Sequence, residues 1–479
     1  MLIAIFALLL ISVVAIALIV TSGTDTTLAG NYRTSTSAYY AGLAGLEEVR
    51  GRLSLRDPAY INKAAANFLP APVPPPNNST MAVTQLLYVL NPGSGETVAP
   101  WDLSNAATYP DLEYQREFPT NVISSALNVP SSAGSAGIAG PLYKWVRITP
   151  ATEYSLKIDV DQNGVQDQTT PIFYDPAHIS LGTGKAGLIV SNSPPATARQ
   201  VFQISALAVL PNNTQKLVQY VVVQNSLNFQ AALTLVGNGV SYTGPDSATF
   251  NVDGNEPTAG RTCLTPALPP VYALGYTNSG DNSTVVAGTV PHSVLYKGFP
   301  PPLPPATPSV WQVTYPNLQT VNDWEFLLKD LRKSADVIVK PGDPWPPSLA
   351  MTPATPWTIF ADRDLDLTGW HGTGYGLLVV TGTLTYDPDA SWEGVVLVVG
   401  KGIFTASHLG SGRIDGAVLV AQTRDSGGNV LAGPSLGPTS VTYDPTTGGT
   451  GIYFDSCWIN AALAPLDYKI LSFREIPYP

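Results

Sequence analysis

The chain has 479 residues, which is too long for one ordinary hydrophobic core and predicts two or three domains. Its net charge of -11 and isoelectric point near 4.8 argue against nucleic acid as a partner, because phosphates are bound by lysine and arginine. Only 12% of the residues are charged, whereas glycine and proline number 42 and 44, which is typical of turn-rich extracellular β proteins.

The chain begins with a long apolar run. Residues 2–20 carry no charge and one hydroxyl, that of Ser12, and a helix needs roughly 20 apolar residues to cross a bilayer. Apolar residues then recur at helical spacing, at Leu28, Tyr32, Tyr39, Leu43, Leu46, Val49 and Leu53. We predict one N-terminal helix over residues 1–56. We expect it to loosen at Gly23, because glycine costs a helix interior about 1 kcal/mol relative to alanine.

Three interpretations of this helix compete. A secretory signal peptide starts with basic residues, but none precedes Arg33, and the residues after the apolar run form a poor cleavage site. A plain membrane anchor would place the first basic residues after the span, which would draw the body of the chain into the cytoplasm. A chain processed from a precursor, with a short basic leader before Met1, removes this conflict.

The segment after the apolar run carries a family resemblance. It reads Ala29-Gly30-Asn31-Tyr32-Arg33, then Ala38-Tyr39-Tyr40-Ala41, then Ala44-Gly45-Leu46-Glu47-Glu48. Residues 23–53 resemble the N-terminal region of PilX-type type IV pilin-like proteins. The resemblance implies removal of a leader by a prepilin peptidase and residence in the inner membrane. It further implies assembly by an inner-membrane machinery into an extracellular helical filament, with copies of the chain and other pilins as partners.

One position departs from the usual pilin pattern. Most major pilins carry a glutamate at the fifth mature position, which pairs with the terminal amine of a neighbour. Ile5 stands here instead, and Asp25 is the first acidic residue. PilX-type and K-type minor pseudopilins also lack that acid. The resemblance therefore leaves open a main filament subunit, a minor tip-located adhesin and a membrane-anchored binding module.

The predicted filament-core helix is the surface by which copies would pack together. Small residues within it would let neighbouring helices approach closely. Ser12 is a candidate hydroxyl to meet a neighbour's terminal amine. The predicted core residues are Met1, Ile5, Leu9, Ser12, Gly23, Leu28, Tyr32, Tyr39, Gly42, Gly45 and Leu46.

Beyond the helix, the predicted fold is α+β and mostly β. Turn clusters separate short β-like runs, and Pro-rich stretches separate the domains. The predicted parts are a Pro-rich linker at 57–79, a sandwich-like first β domain at 80–262, a Pro-rich connector at 263–345 with one helix at Val321–Val337, and a C-terminal β domain at 346–479.

The C-terminal domain contains a loose repeat. Gly376, Gly394 and Gly416 are each followed by four or five apolar residues. Continuous apolar runs fit strands that are buried on both faces. They predict either the stacked coils of a solenoid or an antiparallel sandwich with buried central strands.

One acidic loop has the spacing of a calcium site. Oxygen ligands alternate along it, a glycine stands at the sharp turn, and the seventh position offers a backbone carbonyl. The predicted ligands are Asp159, Asp161, Asn163, Val165 and Asp167. The bidentate glutamate that closes an EF-hand loop is absent, so the expected role of Ca²⁺ is structural. The alternative is an acidic surface turn.

The two cysteines, Cys263 and Cys457, predict one disulfide in an exported protein, with two buried free thiols as the alternative.

No catalytic constellation stands out. Gly433-Pro-Ser435-Leu-Gly437 matches the nucleophile-elbow pattern, but it lies in a Pro/Gly-rich loop without the strand-to-helix step that the motif needs. The sequence therefore predicts a structural protein rather than an enzyme.

Overall fold

The structure is a computed structural model that describes most of the chain. The described residues are 2–53, 86–93, 95–102, 109–113, 125–128, 142–175, 187–192, 194, 198–224, 227–257, 269–299, 307–315, 318–345, 350–406, 410–444 and 451–477.

Within these residues the chain is an α+β fold, mostly β, with one long N-terminal helix. The helices are α1 (Leu2–Arg52), α2 (Glu153–Leu156), α3 (Asn282–Ala287), α4 (Val321–Lys333) and α5 (Ser456–Leu463). The first strands are β1 (Leu87–Leu90), β2 (Ser125–Asn128), β3 (Tyr143–Pro150), β4 (Ile172–Tyr174), β5 (Leu188–Val190), β6 (Arg199–Val209), β7 (Gln215–Gln224), β8 (Ala231–Val236), β9 (Ser241–Thr243), β10 (Asn251–Asp253), β11 (Tyr272–Tyr276) and β12 (Tyr296–Lys297). The remaining strands are β13 (Val310–Gln312), β14 (Val337–Val339), β15 (Trp357–Ala361), β16 (Leu365–Asp366), β17 (Thr373–Val380), β18 (Thr383–Tyr386), β19 (Ser391–Gly400), β20 (Ile403–Ala406), β21 (Arg413–Gln422), β22 (Ser440–Tyr443), β23 (Gly451–Phe454) and β24 (Tyr468–Ile476).

Helix α1 continues through Gly23 and does not loosen there as predicted. The Thr26 hydroxyl donates to the Ser22 carbonyl at 2.7 Å, and the Thr27 hydroxyl donates to the Gly23 carbonyl at 2.9 Å. Side-chain hydrogen bonds of this type satisfy hydroxyl groups within the helix itself. A single glycine therefore does not interrupt this helix of 51 residues.

Helix α4 begins at Val321, as predicted, but it ends at Lys333 rather than at Val337. Thr320 caps its first turn: the side chain accepts from the backbone N–H of Asp323, whose own side chain accepts from the backbone N–H of Thr320. The last four predicted residues fall outside the helix because β14 begins at Val337 and pairs with β15.

In the part of the chain that the structure describes, the first sheet has eight strands. Strands β3, β6 and β7 lie antiparallel at its centre, and the C-terminal strand β24 pairs with β7. Helix α1 packs across β3, β6 and β7 on one face. The predicted sandwich-like domain is therefore, in the described residues, a single sheet covered by the N-terminal helix.

The second unit is a stack of parallel strands, here named the coil stack (residues 231–454). Its long strands β15, β17, β19 and β21 pair in parallel, and each is followed by a short strand in a second parallel sheet. The three glycines of the predicted repeat are in register, Gly376 opposite Gly394 and Gly394 opposite Gly416. This pairing favours the solenoid alternative over the antiparallel sandwich.

Close backbone approach explains one of these glycines. Gly394 has a φ of 144°, and a Cβ there would lie 2.0 Å from the carbonyl oxygen of Gly376. Any other residue would force the two strands apart. The apolar residues that follow are buried, because the coil interior covers one face of these strands and α5 packs on β17, β19 and β21.

The strand pairing divides the chain differently from the predicted boundary at residue 262. Strand β8 belongs to the coil stack, where it pairs with β21, and β24 belongs to the first sheet. The coil stack is thus inserted between β7 and β24. Both pairings join strands that are far apart in the sequence, so local composition carries no signal of them.

Candidate functional site

Helix α1 consists of two parts with different surroundings. Every residue from Ile3 to Arg33 is exposed; Ile3 is 85% exposed and Leu28 is 70% exposed. The helix is long and apolar enough to cross a membrane, with a mean hydropathy of 3.3 over its most apolar window. It is therefore compatible with membrane insertion.

Six predicted core residues lie in the exposed part of the helix: Ile5, Leu9, Ser12, Gly23, Leu28 and Tyr32. Met1 lies outside the described residues. The later predicted residues are placed differently. Leu46 is fully buried against the first sheet of its own chain, and Tyr39 is partly buried beside the same core.

The small residues of the second part serve a contact within the chain. A Cβ at Gly42 would lie 2.6 Å from a methyl group of Val218, and one at Gly45 would lie 2.8 Å from the ring of Tyr143. Gly42 and Gly45 therefore face the first sheet of their own chain. The sequence shows that a close approach occurs, but it does not show which partner approaches.

Polar contacts fix the second part of α1 on the sheet. The Tyr143 hydroxyl donates to Glu48 at 2.8 Å, and the Tyr220 hydroxyl donates to Glu47 at 3.0 Å. The Arg50 guanidinium donates to the carbonyl of Tyr468 on β24 at 2.8 Å. Burial, and then the Glu47 contact, raise the pKa of Tyr220 to about 12. This part of the helix is thus locked to the body of the protein.

The exposed part of α1 satisfies many of its hydroxyl groups internally. The Ser12 hydroxyl donates to the Leu8 carbonyl at 2.8 Å. Four threonines bond carbonyls three or four residues earlier in the same way: Thr21, Thr24, Thr26 and Thr27. A surface of this kind can enter an apolar environment without leaving these donors unpaired.

The predicted calcium loop is built on a one-turn helix. Thr152 caps α2, and Lys157 ends it in the left-handed conformation with a φ of 58°. Two further left-handed residues, Gln162 and Gly164, turn the loop back. The loop thus folds over the first residue of α2, Glu153, whose side chain is fully buried.

Three of the predicted ligand side chains accept hydrogen bonds within the turn. Asp159 accepts from the Gly164 N–H through Oδ2 at 2.9 Å, and its other oxygen, Oδ1, is buried without a hydrogen-bond partner among the described residues. Asp161 accepts twice from Asn163, at 3.1 and 2.9 Å, and Asn163 Oδ1 accepts from the Val165 N–H at 2.7 Å. These contacts preorganise the turn.

Sequence reasoning missed the central acid of this loop. Carboxylate oxygens of Glu153, Asp159 and Asp161 lie within 4.8 Å of one another, which is close enough to share a cation. Asp167 is not in this group; its N–H donates to Glu153 at 3.0 Å. Glu153 precedes the motif by six residues, and its place after the capping Thr152 was the available signal.

A second group of this kind lies in the coil stack. His371, Asp387 and Asp389 also bring ligand atoms within 4.8 Å of one another. The two carboxylates accept backbone N–H groups, Asp387 from Gly369 at 2.7 Å and Asp389 from Ser411 at 2.9 Å, just as Glu153 accepts from Val160 and Asp167 in the first group. Among the described residues, neither Asp387 nor Asp389 has a buried oxygen without a hydrogen-bond partner, whereas Asp159 does.

Cys457 is buried in the first turn of α5 and is disulfide-bonded. Asp455 caps this helix and accepts from the Cys457 N–H at 3.0 Å. Cys263, the other cysteine of the chain, lies outside the described residues. The pairing of the two remains a prediction.

Comparison with protein families, with curated proteins and with solved structures found no match for this chain.

Proposed function

We propose that this chain is a structural subunit of an extracellular filament of the type IV pilus kind. One observation carries the proposal: α1 is exposed and apolar from Ile3 to Val20, while its second part is fixed to the first sheet. The folded body thus carries an exposed apolar helical segment, here named the apolar rod (residues 3–20). The role is structural rather than catalytic.

The apolar rod needs a partner in every state of the protein. Covering one large aliphatic side chain is worth about 1.5–3 kcal/mol, and the rod exposes more than ten of them. We infer that the inner membrane covers it before assembly and that the helices of neighbouring copies cover it in the filament. The coil stack and the first sheet would then form the outer layer, at the cell surface.

The sequence resemblance supports the same proposal. The segment Ala29 to Arg33 and the small-residue stretch after it are similar to those of PilX-type pilin-like proteins. Prepilin peptidase, the inner-membrane assembly machinery and other pilins are the partners that follow from it. Ile5 leaves the neighbour's terminal amine without the usual acid, so backbone or hydroxyl oxygens must meet it.

We further propose that the loop of Glu153, Asp159 and Asp161 binds one structural Ca²⁺. The support is the unpartnered Asp159 Oδ1 beside two other carboxylates. A cation there would join α2 to the turn at Gly164. It would stiffen the first sheet's edge without taking part in any reaction.

A tip-located adhesin is the second candidate, and an exposed aromatic cluster favours it. Trp311 is 55% exposed and stacks on Tyr272 with ring centroids 5.9 Å apart. Phe299, 48% exposed, meets the same tyrosine edge-on at 5.6 Å. Exposed apolar clusters often mark binding surfaces.

Electron microscopy with labelled antibody against the coil stack separates these candidates. A main subunit is labelled along the whole length of extracellular filaments. Label confined to filament ends supports the adhesin. Protein that stays in the membrane, with no filaments present, contradicts both and leaves a membrane-anchored binding module.

A further inference from the structure

Two opposite charges stand alone on the exposed part of α1. Asp25 and Arg33 are the only charged side chains between Leu2 and Leu46. Both are exposed, and the described residues offer neither an ion-pair partner. The next acid along the helix after Arg33, Glu47, is already paired with Arg50 at 2.6 Å.

Their neighbours make these charges unusual. Threonine hydroxyls on both sides of Asp25, those of Thr24 and Thr26, are bonded to the helix's own carbonyls. The carboxylate of Asp25 cannot bond a helix carbonyl in this way, because it has no hydrogen to donate. A carboxylate enclosed among apolar helices is costly unless a cation meets it. The same holds for the guanidinium of Arg33.

The spacing of the two residues fits a contact between parallel copies. Eight residues correspond to a rise of about 12 Å along an α-helix. They also correspond to a rotation of about 80° around its axis, so the two side chains point to different neighbours. Such a contact uses two different surfaces of one chain, and contacts of that kind can repeat without closing.

We propose that Asp25 of one copy forms an ion pair with Arg33 of the next and that this pair sets the axial stagger of the helices. The inference rests on the proposed filament and adds the contact that fixes its register. Apolar packing alone allows neighbouring helices to slide. The paired charges select the stagger of about 12 Å, at which neither charge is left unpaired.

Charge reversal tests the pair in the full chain. Asp25→Lys places a cation opposite Arg33, and Arg33→Glu places an anion opposite Asp25. Each single variant is expected to lower the yield of sedimentable filaments by at least about tenfold. The double variant Asp25→Lys/Arg33→Glu restores opposite charges and is expected to recover wild-type yield within about twofold.

Asp330→Lys is the matched control, since it makes the same charge change on the exposed face of α4, where Asp330 is 55% exposed. It is expected to assemble normally. Wild-type yield from both single reversals, or a double variant no better than the singles, overturns the inference. Absence of filaments from the wild-type chain instead contradicts the proposed function itself.

Engineered cysteines give a second readout that does not depend on yield. Ala29→Cys/Ser37→Cys keeps both charges and places two exposed thiols one helical turn beyond them, with the same spacing of eight residues. Oxidation of its filaments with copper–phenanthroline is expected to give a ladder of cross-linked copies on non-reducing gels. Thr21→Cys/Ser37→Cys, whose spacing is longer by about two helical turns, is expected to give none. Filaments of the first variant that form no ladder overturn the stagger.

Discussion

Gly45 of α1 lies directly against the ring of Tyr143 on β3, so closely that a Cβ at Gly45 would be 2.8 Å from the ring carbon Cγ. Glu48, three residues further along the helix, accepts a hydrogen bond from the hydroxyl of the same tyrosine at 2.8 Å. The ring of Tyr143 therefore fills the space left by the missing side chain of Gly45, and its hydroxyl is held by Glu48. This contact is one of those that hold the second part of α1 on the first sheet.

Gly45→Ala is expected to destabilise the folded body by about 1–3 kcal/mol, because the added methyl must displace the Tyr143 ring or the helix. Gly42→Ala should behave similarly, since its Cβ would meet Val218 at 2.6 Å. Urea unfolding of the detergent-solubilised chain measures the effect. Gly30→Ala is the control, because no atom of the described residues lies within 4 Å of its Cβ position. Equal stability of all three variants would contradict the close packing.

Tyr220 predicts a loss of stability at alkaline pH. Its pKa is about 12 in the folded chain, whereas that of an unfolded tyrosine is about 10. The unfolded chain therefore loses this proton first, so the contribution is complete below about pH 10 and is lost as pH rises toward 12. Tyr220→Phe should flatten the decline in unfolding free energy over this range, and Tyr32→Phe, on the exposed helix, should not. If the unfolding free energy of Tyr220→Phe declines with pH as steeply as that of the wild-type chain, Tyr220 does not cause the decline.

The sequence predicts the elements of this fold better than their partners. The apolar run of α1 and the runs after Gly376, Gly394 and Gly416 are local patterns, and the structure contains a helix and in-register strands there. The pairing of β24 with β7 is set by contacts across more than 240 residues, which no local pattern records.

The candidate calcium loop shows the same limit. Alternating oxygen ligands predicted Asp159 and Asp161, because their spacing is part of a continuous motif. Glu153 reaches the group through the fold of α2, not through the spacing of the motif. At Gly42 the sequence indicates a close approach but not the approaching residue, which is Val218 of the same chain.

Calcium binding by the loop is expected to be detectable by calorimetry on the full chain. Asp161→Ala and Glu153→Gln should each abolish or weaken the heat of binding, because each removes a negative oxygen from the group. Asp425→Ala is the control, since Asp425 closes a separate exposed turn with Asn429. No heat with the wild-type chain, or equal heat from all variants, would return the loop to an ordinary acidic turn.

The predicted disulfide between Cys263 and Cys457 closes a long loop. In the chain-entropy account, a loop of this length stabilises the folded state by about 4–5 kcal/mol, and by less if the bond is strained. Cys457→Ala should therefore lower the melting temperature in non-reducing buffer and abolish the effect of added reductant. Two titratable thiols in protein purified without reductant would contradict the pairing.

Assembly through α1 predicts the effect of a charge in the apolar rod. Leu9 is 60% exposed and lies midway along the run, so Leu9→Lys would place an unpaired ammonium among packed helices. Filaments should be lost while the body stays folded, as judged by an unchanged unfolding transition. Phe326→Lys, at a 68% exposed position of α4, is the matched control and should assemble normally.

In the proposed filament, the terminal amine of a neighbouring copy would be a further charge among the packed helices. Ile5 cannot neutralise the amine of a neighbour, so oxygen atoms must accept its hydrogens. The Ser12 hydroxyl donates its hydrogen to the Leu8 carbonyl. The lone pairs of the Ser12 oxygen can therefore accept a hydrogen bond from that amine. Ser12→Ala should then weaken assembly less than Leu9→Lys, because backbone carbonyls remain as acceptors. Filaments that form normally with Leu9→Lys would mean that α1 does not build their core.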